Sequence, residues 1–177
     1  TSLFSQPQIA IQGAQLSPLF PPAKTVHPHA IGHFSAPRIP LKSIGLKNSS
    51  STNWSGYAAL TMSSLVAPKV NSVSKVSGQW TIPRLHKSET RETYSSVWVG
   101  IDGYSNTTVE QIGTAQEWYN DKQHTYAWIE LYPAYPYEIA SFPTHAGDRI
   151  AASVTSKKGS HVFTFTIHNK TRNRTAT

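Results

Sequence analysis

The chain of 177 residues contains no cysteine. That excludes disulfide staples, thiol catalysis and cysteine-ligated zinc together. It leaves the compartment open, because a chain of this length can bury an adequate core without cross-links. Acidic residues are absent before Glu89, and all nine lie from there onward. No apolar run approaches the roughly 20 residues of a membrane-spanning helix, so no membrane partner is expected. Convincing helical periodicity is missing as well. Charged residues make up only 14% against 38% hydrophobic, a globular composition rather than a disordered one.

What is present divides near residue 50. Residues 1–50 hold seven of the twelve prolines and carry Lys24, Arg38, Lys42 and Lys47 with His27, His29 and His33. Proline fixes φ and removes a donor, so this stretch is expected to be an extended arm, not a helix or a central strand. Its charges are sparse and lack interleaved aromatics, so no nucleic-acid partner is expected. The spacing of His27, His29 and His33 could suit a metal. No carboxylate or thiol ligand lies nearby, and neither a metal nor another cofactor is expected.

From Asn53 onward the texture is β, with short Val-, Ile-, Thr-, Tyr- and Trp-rich runs between Gly, Pro, Asn and Ser. Strands are predicted near 54–61, 73–82, 94–102, 108–118, 123–133, 148–156 and 161–168. Such spacing points to an antiparallel sandwich or barrel. Side chains alternate across a strand. Val97, Val99 and Ile101 therefore oppose Trp98, Gly100 and Asp102. Likewise Ala127, Ile129 and Leu131 oppose Tyr126, Trp128, Glu130 and Tyr132. Each strand has one aliphatic face and one mixing aromatics with carboxylates, as a binding groove needs and as a wet sheet face also shows. Five N-x-[ST] motifs, at Asn48, Asn53, Asn106, Asn169 and Asn173, suggest surface loops.

Six ordered blocks sharpen this reading: Asn53-Trp54-Ser55-Gly56-Tyr57; Val76 to Pro83 (VSGQWTIP); Trp98 to Gly103 (WVGIDG); Gln111-Ile112-Gly113; Ala127 to Pro133 (AWIELYP); and Ala146 to Ile150 (AGDRI). In kind and order they resemble the glutamic peptidases, or eqolisins. The resemblance implies an all-β fold, a bent, concanavalin-like sandwich of two antiparallel seven-stranded sheets. It implies an acid-active endopeptidase acting on polypeptide substrates through a Gln/Glu pair and an activated water. Gln111 matches the catalytic glutamine, and Trp98, Asp102, Trp128 and Glu130 match residues lining the substrate groove. Two positions depart from the family pattern, which commonly has aspartates where this chain has Ala115 and Tyr126. The family's catalytic glutamate belongs to an A-E-W-I-x-E block beyond A-G-D-x-I. It is therefore expected on a C-terminal chain or segment of the same precursor. Residues 1–50 would be a basic prosegment, 51–177 the N-terminal part of the sandwich, and the protein a secreted zymogen. The alternative left open is a non-catalytic β-sandwich binding module, for instance for carbohydrate.

Overall fold

A computed structural model describes residues 16–18, 55, 56, 58, 71–86, 93–103, 107–119 and 121–177. Its elements are β1 (Leu16–Pro18), β2 (Lys75–Thr81), β3 (Thr93–Asp102), β4 (Val109–Tyr119), β5 (Lys122–Tyr132), β6 (Tyr137–Ile139), β7 (Arg149–Ser156), β8 (Phe163–Asn169) and β9 (Arg174–Ala176). They form two sheets, in the orders β1-β6-β5-β4-β3 and β2-β7-β8-β9. Every pairing is antiparallel. The all-β expectation holds, and the described residues contain no helix. They supply five and four strands, not seven in each sheet.

Six predicted strands are found within two residues of their expected ends. The seventh, at 54–61, is not formed at Ser55, Gly56 or Ala58, and its other residues lie outside those described. Three short strands were not foreseen: β1, β6 and β9 have three residues each. Three residues are too few for alternation to register. β1 ends at Pro18 on the sheet's margin, where a missing N–H costs no ladder bond. The trio His27, His29 and His33 lies outside the described residues.

The aliphatic faces meet between the sheets. Ile101 on β3, Ile112 on β4 and Ala127 and Ile129 on β5 bury against Ile150, Ala152 and Val154 on β7 and Ile167 on β8. Trp80 from β2 packs on this core and donates its indole N–H across it to Thr114 Oγ1 at 2.9 Å. Each apolar side chain of this size buried fully contributes about 1.5–3 kcal/mol. The period-2 pattern thus fixes which face of β4 looks outward.

The A-G-D-x-I block closes the second sheet. Asp148 is 3% exposed. Its Oδ2 accepts from His145 N (2.9 Å), Asn169 Nδ2 (2.8 Å) and Arg172 Nε (2.7 Å). Asn169 Nδ2 also donates to Pro143 O, while its Oδ1 accepts the N–H groups of Thr171 and Arg172. The β6–β7 link and the β8–β9 turn are tied together at one carboxylate. Burial alone would raise that carboxyl. The bonds from Asn169, Arg172 and His145, with the Arg172 charge, outweigh it and hold Asp148 below its ordinary value. Asn169 is wholly buried. The expectation that its N-x-[ST] motif marks a surface loop is therefore corrected: this side chain is a structural tie.

Candidate active site

On the outward face of the first sheet, period 2 aligns Gln111, Gly113, Ala115 and Glu117 along β4. The ladder sets Gly100 opposite Gln111 on one side and Glu130 opposite it on the other. Gln111 and Glu130 are both wholly buried, and Gln111 Nε2 donates to Glu130 Oε2. Gln111 Oε1 has no hydrogen-bond partner. A buried amide held by one end, with its carbonyl unsatisfied, is a costly arrangement in a purely structural role. Burial raises the Glu130 carboxyl to about 7, against a smaller lowering from the Gln111 bond.

Two pairs along the ladder, Gly113 lies between Trp98 and Trp128. A Cβ at Gly113 would stand 2.5 Å from Val97 O, 2.7 Å from Trp98 Cβ and 3.1 Å from Trp128 Cζ2. Only glycine lets both indoles close over this strand, which gives the Q-x-G spacing its physical reason. Trp128 is wholly buried, and its indole N–H donates to Ser96 Oγ at 3.0 Å. Ser96 Oγ in turn donates to Thr114 O at 3.0 Å. Trp98 and Tyr126 pack with Trp128 and Ala115 in a cluster separate from the main core.

The two departures from the family pattern meet each other. Ala115 opposes Tyr126 across the ladder. The small residue admits the ring, and the Tyr126 hydroxyl donates to Glu117 Oε1 at 2.6 Å. Burial, then the bond and charge of Glu117, then the charge of Glu138, raise the Tyr126 hydroxyl. Glu138, opposite Trp128 on β6, is raised by burial and then by Glu117. Two carboxylates, Glu117 and Glu138, act on the Tyr126 that stands at one of these positions.

Of the residues singled out in the sequence, Gln111, Glu130, Trp98 and Trp128 come together on this face. Asp102 stands apart. It is exposed, lies at the end of β3 opposite Val109, and adopts a left-handed φ of 67°. Its charge acts on Glu110, not on Glu130. Sequence reasoning missed Glu110, Glu117 and Glu138. Extending the period-2 row from Gln111 would have reached Glu117; nothing in the sequence alone signals burial of Glu110. Among the described residues no group of three or more His, Asp or Glu side chains could hold a metal ion.

The Peptidase A4 family model matches residues 52–177, well over half of the chain and the whole of this face. This chain belongs to the Peptidase A4 family. Aspergillopepsin-2 from Aspergillus niger is 29% identical over 174 residues, covering 82% of this chain and 57% of that protein. The crystal structure of scytalido-glutamic peptidase with a transition state analog inhibitor is 28% identical, with a TM-score of 0.48 over 59% of this chain and 48% of that one. The A4 chain thus spans little more than half the length of the curated relative it matches. Its six blocks include Trp98, Gln111, Gly113, Trp128 and Glu130, but not Ser96, Ala115, Glu117, Tyr126 or Glu138.

Proposed function

We propose that this A4 chain is the glutamine-bearing part of an acid-active glutamic endopeptidase. The observation that carries the reading is the Gln111 amide, anchored through Nε2 on Glu130 with Oε1 unsatisfied. An amide offers both an acceptor and a donor and cannot ionise. Gln111 Oε1 would orient the attacking water, and the remaining Nε2 proton would meet the oxyanion as the carbonyl becomes tetrahedral. Water then bonds to the carbonyl carbon and gives one proton to a carboxylate base. The C–N bond breaks, and that proton goes to the leaving amine.

Glu130 is not placed to take that water's proton while it accepts from Gln111. Its role here is to fix which end of the amide faces outward. The base is a glutamate on a C-terminal chain or segment of the same precursor. Trp98, half-buried and packed on the wholly buried Trp128, forms the wall on which a polypeptide substrate lies, with the exposed Asp102 beyond it at the end of β3. Residues 1–50 form a basic prosegment, residues 51–177 the enzyme part, and the protein is secreted as a zymogen. Its cations would hold the acidic groove near neutral pH and let go as the carboxylates protonate.

The test is Gln111→Ala in the complete protein with its C-terminal partner segment, assayed on a denatured protein substrate at acid pH. A loss of about 100-fold or more in kcat is expected from removing an oxyanion donor. Near-wild-type activity would sink the assignment. Substrate binding without hydrolysis by the complete wild-type protein would return the reading to a binding module.

A further inference from the structure

Glu110 adjoins Gln111 but belongs to the opposite face of β4, turned inward beside Ile112 and Thr114. It is 8% exposed, and its Oε2 has no hydrogen-bond partner. The ladder sets Ile101 on β3 and Leu131 on β5 against it. From the facing sheet, β7 and β8 bring Ile150, Ala152, Val154 and Ile167 to the core, none of them titratable. Asn169 is also buried there, but is committed to Asp148. Glu130, the titratable neighbour on β5, points to the other face. Among the described residues, the one charged group acting on Glu110 is Asp102, at the end of β3.

That end of the hairpin is tight. Asp102 and Gly103 both take left-handed φ values, 67° and 84°. A Cβ at Gly103 would stand 2.9 Å from Val109 Cβ. Gly103 therefore lies directly against Val109, the residue preceding Glu110. Burial, then the Asp102 charge, raise the Glu110 carboxyl to about 7, against a lowering from its own backbone N–H. If Glu110 ionised in place, its charge would be buried under the influence of the exposed Asp102, with no hydrogen-bond donor to its Oε2 among the described residues. The relief open to the chain is to part the hairpin end and admit water.

We propose that Glu110 and Asp102 form an acid-closed clasp at the end of the β3–β4 hairpin, which holds Gln111 in register while Glu110 keeps its proton and loosens it when Glu110 ionises. Glu110 is thus a positioning residue that acts through the backbone of the next residue. The functional meaning rests on Gln111 being the catalytic amide; the clasp itself does not. The sign follows from linkage. A carboxyl raised in the closed state stabilises that state fully below its open-state value, near 4.5, and the stabilisation is lost as pH rises toward about 7.

The experiment is amide hydrogen exchange at Glu110, Gln111 and Ile112 in the 177-residue chain, corrected for intrinsic exchange. Protection should fall about tenfold or more between about pH 5 and about pH 8. Glu110→Gln should abolish the fall. Asp102→Asn should make it smaller, because the closed-state carboxyl is then raised less. Glu130→Gln should leave it in place. Flat protection in the wild type, a full fall in Glu110→Gln, or its loss in Glu130→Gln would each overturn the clasp. If Glu110→Gln does not fold, an unchanged fall in Asp102→Asn overturns it instead. No readout involves proteolysis, so failure of the clasp and failure of the peptidase reading are told apart.

Discussion

Glu130 and Asp148 are both buried carboxylates, yet their surroundings push them in opposite directions. Asp148 accepts three hydrogen bonds on one oxygen, one of them from a guanidinium. Glu130 accepts an amide proton from a neutral Gln111. The first is held below its ordinary value and the second is raised to about 7. Donors and a cation make a buried charge part of the scaffold; burial that outweighs the bond from Gln111 leaves a carboxyl that binds a proton under mildly acidic conditions. The contrast separates a structural hub from the raised carboxyl beside Gln111 without appeal to sequence motifs, since both carboxylates sit in family blocks.

The comparison can be broken first at Asp148. Asp148→Ala should cost about 3–5 kcal/mol, because Arg172, Asn169 and the His145 N–H lose their common acceptor. Urea unfolding near neutral pH measures it, and a loss under about 1 kcal/mol would mean that the hub is redundant. Acid should weaken the wild-type hub too. A depressed carboxyl contributes stability above its unfolded value, 3.8, which is lost as pH falls below it.

Glu130 should show the reverse slope. Its raised carboxyl favours the fold below 4.5, and that contribution disappears on the way to about 7. Glu130→Gln should therefore flatten the loss of stability across that range, an effect on the order of 2 kcal/mol. Unfolding midpoints at several pH values decide it; an unchanged slope would remove Glu130 from the comparison. The smallest effect is expected at Tyr126→Phe, which deletes the bond to Glu117 and should cost about 1 kcal/mol. An unchanged unfolding free energy would show that water replaces the hydroxyl as a donor to Glu117.

How much of this was legible in the residues depends on the scale of the pattern. Strands β3 and β5 have ten and eleven residues, long enough for alternation to name their faces and set Glu130 beside Trp128, whereas the pairing of Gln111 with Glu130 shows only in the register. β6 and β9 are too short to show a period, and β1 lies in a proline-rich stretch whose edge placement only pairing reveals. Asn169 reads as a surface-loop residue because the motif is local, while its burial depends on Asp148, 21 residues away. Asp102 grouped with Trp98 by alternation, but its left-handed φ breaks that alternation at the strand's last residue. Glu110 falls inward by the same alternation that turns Gln111 outward. A carboxylate at an inward position normally argues against a strand, so the pattern gave no reason to expect it buried.

The link between β4 and β5 has a consequence for how the site is specified. Tyr119 pairs with Lys122, so positions 120 and 121 alone join the strands, with Asp121 at φ 60°. This two-residue turn acts as a ruler for the pair eight rungs away. A slip of one residue would set Gln111 against a neighbour of Glu130 and turn every β5 side chain to the other face. Lengthening the turn by one residue would therefore erase the amide–carboxylate contact while leaving every residue of the site in the sequence. The chemistry of this face is written as much in the length of a turn as in the identity of its side chains.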